Sequence, residues 1–317
     1  MLFRFTGILF TVLAGMAPTA VSIAGEAPEF LLSTNAISQM KRGRVIARTL
    51  PGDAAQPYFL YVPRRLGSPP RILVTVHGIS RNAEEHAEAF AAIAERYGVV
   101  ILAPLFRKGR FTDYQRLGRA GRGGERADLA LRALVEDVGR LTGARTDRFY
   151  LFGHSGGAQF AHRYVMAHPD DVVRYAISAA GWYTLPDPGL KYPYGTRLGN
   201  QLPGVQFDLD KFLRVPVSVL VGERDTVRDK SLNRSARIDA RLGKTRIERA
   251  RSWNSAMARA ARRRGIDAAY ALHVLPGTSH DFTDMVDHGN LDTFVADFLF
   301  GHGKTPHDRD GATSRPG

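Results

Sequence analysis

The sequence predicts an α/β protein, with a mostly parallel central sheet and helices on both of its faces. Short apolar runs rich in Val, Ile and Leu alternate with longer segments that carry apolar residues at helical spacing, and this alternation is typical of βαβ units. Residues 71–77 (RILVTVH) form a continuous apolar, β-branched run, as expected of a strand buried on both faces of a parallel sheet. The chain has 317 residues, enough for one large domain of this kind or two small ones.

The predicted strands are short and end at turn residues. The first two form an antiparallel pair joined by the turn Pro51-Gly52-Asp53, and the later ones alternate with helices, as parallel strands do. The predicted strands span residues 44–50, 58–63, 71–77, 99–102, 148–153, 172–178, 216–221 and 269–275.

Five longer segments have apolar residues at intervals of three and four, which predicts helices. Residues 125–142 show this pattern most clearly, and residues 156–167 end just before Pro169, which cannot continue a helix. The predicted helices span residues 82–97, 125–142, 156–167, 248–264 and 282–300.

Two stretches interrupt the alternation. Residues 181–213 are rich in Pro, Gly and Tyr, and residues 224–246 are rich in Arg. Each follows the carboxyl end of a predicted strand, and open α/β sheets bind their ligands at that edge. We therefore expect both stretches to be irregular walls of a substrate pocket.

The two ends of the chain differ in composition from its middle. Residues 1–24 contain one Arg, an apolar run and, in Ser22-Ile23-Ala24, small residues at the two positions that a signal peptidase recognises. Together these features predict a cleaved signal peptide. An uncleaved anchor is the alternative, but the apolar run is shorter than the ~20 residues of a membrane span. We expect an exported periplasmic or secreted protein without stable membrane insertion, a catalytic domain at 25–300 and a disordered polar tail at 301–317.

Charge and cysteine content narrow the possible functions. The chain has no Cys, which excludes disulfides, Cys–metal sites and Cys nucleophiles. Its net charge is +13, with basic stretches at residues 107–126 and 224–264. Aromatic residues are sparse in both stretches and no nucleic-acid-binding motif accompanies them, so we expect no nucleic-acid partner. Attraction to an anionic surface or an acidic substrate stays open.

The segment Gly153-His154-Ser155-Gly156-Gly157 matches the pattern G-x-S-x-G. It lies between a predicted strand and a predicted helix, which is the context that a nucleophile elbow requires. Small residues two positions before and after the serine let the backbones of strand and helix cross closely. The serine is then expected in a strained, exposed conformation at the positive end of a helix.

A serine hydroxyl needs a base before it can act as a nucleophile. His280 lies in a loop just after the last predicted strand, and Asp225 follows the strand at 216–221. The order Ser, acid, His is the one found with such elbows, and a carboxylate orients the imidazole and stabilises its cation. Asp229 is the closest alternative acid, while Asp208 and Asp210 lie before the strand.

The remaining parts of the candidate site are oxyanion donors and substrate contacts. The segment His77-Gly78-Ile79-Ser80 follows the first buried strand, so the backbone N–H groups of Ile79 and Gly156 are the expected oxyanion donors. The candidate substrate-binding residues are Gly78, His154, Trp182 and Tyr183. For the aromatic residues, packing of the loop against the body of the protein is the alternative.

From about residue 44 to 300 the sequence resembles the α/β-hydrolase superfamily. Within that superfamily it looks most like exported bacterial esterases of the polyhydroxybutyrate depolymerase and feruloyl esterase group. The stretches that carry this narrower resemblance are VTVHGISRNAEEHAEAF, GHSGGAQFAHRYVMAHP and RIERARSWNSAM. The resemblance implies an α/β-hydrolase fold. Secreted depolymerases of the group commonly have a substrate-binding domain and disulfides, which this chain lacks, so a soluble ester is favoured over a solid polymer.

Together these features predict a serine hydrolase that cleaves small or oligomeric carboxylic esters through an acyl-enzyme intermediate. No cofactor is expected, and no metal site, since no H-E-x-x-H or similar ligand spacing is present. A peptidase on the same fold is one alternative. A non-catalytic protein that binds anionic polymers is another.

Overall fold

The computed structural model describes residues 41–118 and 124–301. Their strands form one eight-stranded sheet in the order β1-β2-β4-β3-β5-β6-β7-β8. Strand β2 runs antiparallel to β1 and β4, and all other neighbours pair in parallel, which confirms the predicted sheet. The strands are β1 (Val45–Leu50), β2 (Asp53–Tyr61), β3 (Arg71–Val76), β4 (Val99–Pro104), β5 (Phe149–His154), β6 (Val172–Ser178), β7 (Val217–Gly222) and β8 (Tyr270–Leu275).

The helices mostly follow the predicted pattern, with two breaks and two additions. The expected helix at 82–97 is divided at Phe90, and that at 282–300 is divided before Asn290, whose φ is +50°. Two short helices that the sequence did not predict lie at the end of the first irregular stretch, at residues 209–214, and within the second, at residues 236–242. The helices are α1 (Ala83–Ala89), α2 (Ala91–Tyr97), α3 (Ala127–Thr142), α4 (Gly156–Ala167), α5 (Leu209–Arg214), α6 (Ala236–Leu242), α7 (Arg246–Arg262), α8 (Phe282–Asp287) and α9 (Leu291–Phe300).

The sheet separates two hydrophobic clusters, one on each face. Helices α3, α4 and α7 contribute to the larger cluster, while α1, α2, α8 and α9 contribute to the smaller one. The parallel strands β3, β5 and β7 are covered from both sides, which is why their residues are apolar without alternation. Helices on both faces are thus confirmed.

Among the residues that the structure describes, three arginines lie inside the protein, and two of them belong to the basic stretch 224–264. Arg163, Arg246 and Arg249 are each 2% exposed or less. The Arg249 guanidinium donates to the carbonyl oxygens of Gly181, Asn233 and Gly243 and to Asp239. Burial lowers the pKa of Arg249. These bonds attach both expected pocket-wall stretches to α7, so part of the positive charge is internal rather than on the surface.

Predictions for the ends of the chain lie outside the described residues: the signal peptide at 1–24 entirely, and the tail at 301–317 from residue 302 onward. Within residues 41–118 and 124–301, no helix combines the length and apolar character that a membrane crossing needs.

Candidate active site

Ser155 occupies a sharp turn between β5 and α4. Its backbone has φ +53° and ψ −110°, a conformation that residues with a Cβ rarely adopt. Its N–H donates to the carbonyl oxygen of Ser178 at 2.8 Å. A Cβ at Gly157 would collide with the carbonyl group of Val76, and one at Gly153 with the backbone of Gly157. Gly153 is therefore required by the close crossing of β5 and α4, and Gly157 by the close approach of α4 to the end of β3.

The structure brings Ser155, His280 and Asp225 together, although they are far apart in the sequence. The Ser155 Oγ lies 3.1 Å from His280 Nε2, and His280 Nδ1 lies 2.8 Å from Asp225 Oδ2. The Asp225 side chain is 1% exposed and that of His280 is 27% exposed. The alternative acids have other partners: Asp229 accepts hydrogen bonds from Ser231, and Asp208 caps α5.

The loops that carry Asp225 and His280 are joined by backbone contacts. The N–H of Arg224 donates to the carbonyl oxygen of Thr278 at 2.8 Å. A Cβ at Gly222 would collide with the carbonyl oxygen of Ser279, so the two loops touch at this glycine. These contacts follow from the parallel pairing of β7 with β8, which places both carboxyl ends at one edge of the sheet.

A further charged group, Arg246, binds the candidate acid from inside the protein. Its Nη1 lies 3.0 Å from Asp225 Oδ1, and its Nη2 donates to Ser231 Oγ at 2.7 Å. Each carboxylate oxygen of Asp225 thus has one partner, Arg246 or His280. Both members of the ion pair are almost fully buried. The sequence reasoning missed Arg246, although its spacing from Trp253 places it on the apolar face of α7.

His77 shapes the loop that carries the expected oxyanion donor Ile79. Its Nδ1 donates to the carbonyl oxygen of Gly78 at 2.7 Å, and its Nε2 accepts from the N–H of Phe106 at 3.0 Å. Burial lowers the pKa of His77 to about 4, so this imidazole is neutral at neutral pH. The N–H of Arg81 donates to the carbonyl oxygen of Gly78 at 3.2 Å and closes a turn over residues 78–81. The N–H of Ile79 takes no part in this bond.

The two residues expected to supply the oxyanion donors, Ile79 and Gly156, lie close to each other and to Ser155. A Cβ placed on Gly156 would be 3.2 Å from Ile79 Cγ2, and one placed on Gly78 would be 3.3 Å from Ser155 Cβ. Gly156 is the first residue of α4, and the first N–H groups of a helix have no acceptor within it. Gly78 and Gly156 thus lie against Ser155 and the side chain of Ile79 reaches Gly156, while the role of the two N–H groups as oxyanion donors stays a prediction. The Ile79 side chain is 48% exposed at the entrance.

Trp182 and Tyr183 do not line an open pocket, which corrects their assignment as substrate-binding residues. They are 4% and 1% exposed. The guanidinium of Arg163 lies 4.5 Å from the Trp182 ring, and Tyr183 stacks on Trp253 with ring centroids 4.9 Å apart. Their hydrophobic and π surfaces are therefore covered by the protein itself, and they hold residues 181–213 against α4 and α7.

His154 is also unavailable to a substrate, which corrects the same assignment for this residue. It is 5% exposed, and its Nδ1 lies 2.7 Å from Ser178 Oγ. Its ring centroid is 5.3 Å from that of His280. Burial holds the pKa of His154 well below its usual range, so a neutral ring lies behind His280. Of the four candidate substrate contacts, Gly78 stays a prediction, and a Cβ placed on it would be 3.3 Å from Ser155 Cβ.

Two arginines of the basic stretch 107–126 have carboxylate partners. Arg110 forms ion pairs with Asp53 and Glu125 at 2.6 and 2.7 Å, and Arg116 forms one with Asp113 at 3.4 Å. Within the part of the chain that the structure describes, no cluster of three His, Cys, Asp or Glu residues could hold a metal ion.

Solved structures of other proteins resemble this geometry. Poly(aspartic acid) hydrolase-1 from Sphingomonas sp. KT-1 has a TM-score of 0.66 at 27% identity, over 76% of this chain and 93% of that one. LpqC, a poly(3-hydroxybutyrate) depolymerase from Bordetella parapertussis, also has a TM-score of 0.66, at 26% identity over 87% of this chain and 94% of its own. An S-formylglutathione hydrolase from Agrobacterium tumefaciens, at 15% identity and TM-score 0.52 over 80% and 94%, shares the fold alone.

No protein-family model and no curated protein sequence matches the chain significantly. The structural likenesses nevertheless confirm the α/β-hydrolase fold and the resemblance to the depolymerase and esterase group. They identify the chain as a hydrolase.

The close approach of Gly157 to the end of β3 predicts a strong effect of a single methyl group. In Gly157→Ala the new Cβ meets backbone atoms that cannot move aside, so we expect a loss of roughly 1–3 kcal/mol in the free energy of unfolding, together with loss of activity. Urea denaturation measures the first quantity. Gly109→Ala is the control, because no atom lies within 4 Å of its added Cβ. Equal stability of the two variants would contradict the packing described here.

Proposed function

We propose that the chain is a serine esterase in which Ser155 is the nucleophile, His280 the general base and Asp225 the orienting acid. The observation that carries the proposal is the continuous contact from Ser155 Oγ to His280 Nε2 at 3.1 Å and from His280 Nδ1 to Asp225 Oδ2 at 2.8 Å. This order of groups activates a serine hydroxyl at neutral pH.

In the first step the Ser155 oxygen attacks the ester carbonyl carbon while its proton passes to His280 Nε2. The negative charge that develops on the carbonyl oxygen is stabilised by the N–H groups of Ile79 and Gly156. When the tetrahedral intermediate collapses, the carbon–oxygen bond to the alcohol breaks and His280 returns the proton to the leaving oxygen. An acyl group then remains on Ser155.

In the second step water attacks the acyl carbon, and His280 again accepts the proton. Collapse of the second intermediate releases the carboxylic acid and restores the Ser155 hydroxyl with the proton from His280. Asp225 holds Nδ1–H of the imidazole and stabilises its cation in both steps. Its low exposure removes competing water from this interaction.

Arg246 acts as a positioning residue for Asp225. An unpaired carboxylate buried to this degree would be costly, and the guanidinium balances its charge. The positive charge of Arg246 also weakens the attraction between Asp225 and the protonated ring of His280. We propose that this arrangement keeps His280 available as a base, while Ser231 fixes the direction of the guanidinium.

The substrate that we propose is a small or oligomeric carboxylic ester. Support comes from two neighbours named for ester substrates, the poly(3-hydroxybutyrate) depolymerase and a ferulic acid esterase at TM-score 0.50 and 15% identity. Amide cleavage is the second candidate, favoured by the likeness to a poly(aspartic acid) hydrolase. The joined Ser, His and Asp side chains favour either enzyme over a non-catalytic binding protein. Export through residues 1–24 stays part of the proposal.

The nucleophile is tested with a fluorophosphonate probe. We expect covalent labelling of the wild-type protein at Ser155 and none of Ser155→Ala, whose ester hydrolysis falls about 10⁴-fold or more. Ser255→Ala, an exposed serine on α7, is the control and keeps full labelling. Persistent labelling of Ser155→Ala would refute the assignment. Parallel assays with matched ester and amide substrates decide between the two candidate reactions.

The role of Arg246 is tested by the pH dependence of kcat/KM. In Arg246→Met the charge of Asp225 lacks its counterion and holds a proton on His280 more strongly. We therefore expect the acid limb of the profile to move to higher pH and kcat/KM at neutral pH to fall about tenfold. Arg246→Lys keeps the charge and restores the position of the limb.

The other polar groups near this pair are Asp229, 3.7 Å from Arg246, Ser231, and the neutral ring of His154 behind His280. Arg251→Met, an exposed change on the same helix, is the control for the lost charge. An Arg246→Met protein that folds and keeps the wild-type pH profile would show that Arg246 is structural only.

A further inference from the structure

A concave surface beside α7 carries positive charge that the proposed reaction does not use. One cavity, of about 750 Å³, lies between α7, α6 and residues 185–188. A second, of about 400 Å³, shares Arg241 with the first and extends it past Tyr194. We call this continuous surface the arginine groove, and its cations of interest are Arg237, Arg241, Arg251, Arg259 and Arg263.

These five arginines are exposed, and within residues 41–118 and 124–301 none of them forms an ion pair. Other arginines of the protein are neutralised by carboxylates, such as Arg228 by Asp239 at 2.7 Å. Arg264 lines the same cavity and is bound by Asp210 at 2.9 Å. The groove therefore concentrates uncompensated positive charge in a concavity, where its field attracts anions most strongly.

The cations along α7 lie on one side of the helix. Arg259 follows Arg251 by eight residues and Arg263, at the helix end, follows Arg259 by four, with Ser255 midway between the first two. At 1.5 Å rise per residue, these intervals are about 12 Å and about 6 Å. Alternate side chains of an extended peptide lie about 6.6 Å apart. An extended chain with an acid at alternate positions thus matches the spacing of the groove.

We propose that the arginine groove binds an extended polycarboxylate chain. Guanidinium groups bind carboxylates through two parallel hydrogen bonds, which suits exposed arginines in a shallow groove. Single-stranded nucleic acid would also supply anions, but its bases need free aromatic rings for stacking, and the ring of Tyr194 in the second cavity already carries the guanidinium of Arg237, 5.0 Å from its centroid. The lining along α7 consists of Arg, Ser and Ala, facing Leu185, Pro186, Asp187 and Pro188. Asp187 is exposed there and disfavours any anion close to it.

The proposal is tested by binding, without turnover, and so does not depend on the catalytic assignment. A fluorescently labelled deca-L-glutamate peptide is titrated with wild-type protein at low salt and followed by fluorescence anisotropy. In the triple variant Arg251→Gln, Arg259→Gln and Arg263→Gln we expect affinity to fall about tenfold or more. The control carries Arg44→Gln, Arg65→Gln and Arg96→Gln, which remove the same charge from exposed sites elsewhere, and loses about twofold or less.

Added salt should weaken wild-type binding steeply and binding of the groove variant much less. Unchanged hydrolysis of a small neutral ester and an unchanged melting temperature show that the groove variant is folded. Equal losses in the groove and control variants would overturn the proposal, because general charge would then explain the binding. Tighter binding of deca-deoxythymidylate, lost in the groove variant, would overturn it in favour of a nucleic-acid ligand.

Discussion

The close crossing of β5 and α4 is the constraint on which the rest of the site depends. A Cβ on Gly153 would collide with the backbone of α4 and one on Gly157 with the end of β3, and the serine between these two glycines has a positive φ. That conformation places the hydroxyl at the carboxyl edge of the sheet and the N–H of Gly156 beside it. The β3 loop then reaches the same point, because Gly78 can lie against Ser155 without a side chain of its own.

Buried charged side chains support the geometry of the site from the interior of the protein. Arg246 and Arg249 extend from one face of α7, the first to the carboxylate of Asp225 and the second to carbonyl groups of the two irregular stretches. A buried ion pair contributes little net stability but makes the loss of one partner costly. The acid is thus held in one orientation, and basic residues that look like surface charge in the sequence act as internal connections.

Much of the fold could be predicted from the sequence, because the positions of strands and helices depend on residues that are close together in the chain. The strand at 172–178 and the helix at 156–167 have the predicted bounds, because Pro169 cannot continue the helix and lies between the two, and apolar residues fill both. The position of Ser155, Asp225 and His280 at strand ends could also be predicted. The burial of Trp182, Tyr183 and Arg246 could not, since it depends on contacts with helices distant in the sequence. The burial of His162 in the helix at 156–167 likewise depends on a distant contact, because its Nε2 accepts a hydrogen bond from the N–H of Thr184.

We propose that acyl transfer passes through Ser155. The crossing of β5 and α4 holds this serine in place, and His280 accepts its proton. The most direct test is mass spectrometry of the protein quenched in acid during turnover of 4-nitrophenyl acetate. We expect the peptide that contains Ser155 to gain the mass of one acetyl group, and this acetylated species to disappear as the substrate is exhausted. Hydrolysis without acylation of Ser155, or with the acyl group on another residue, would contradict the proposal.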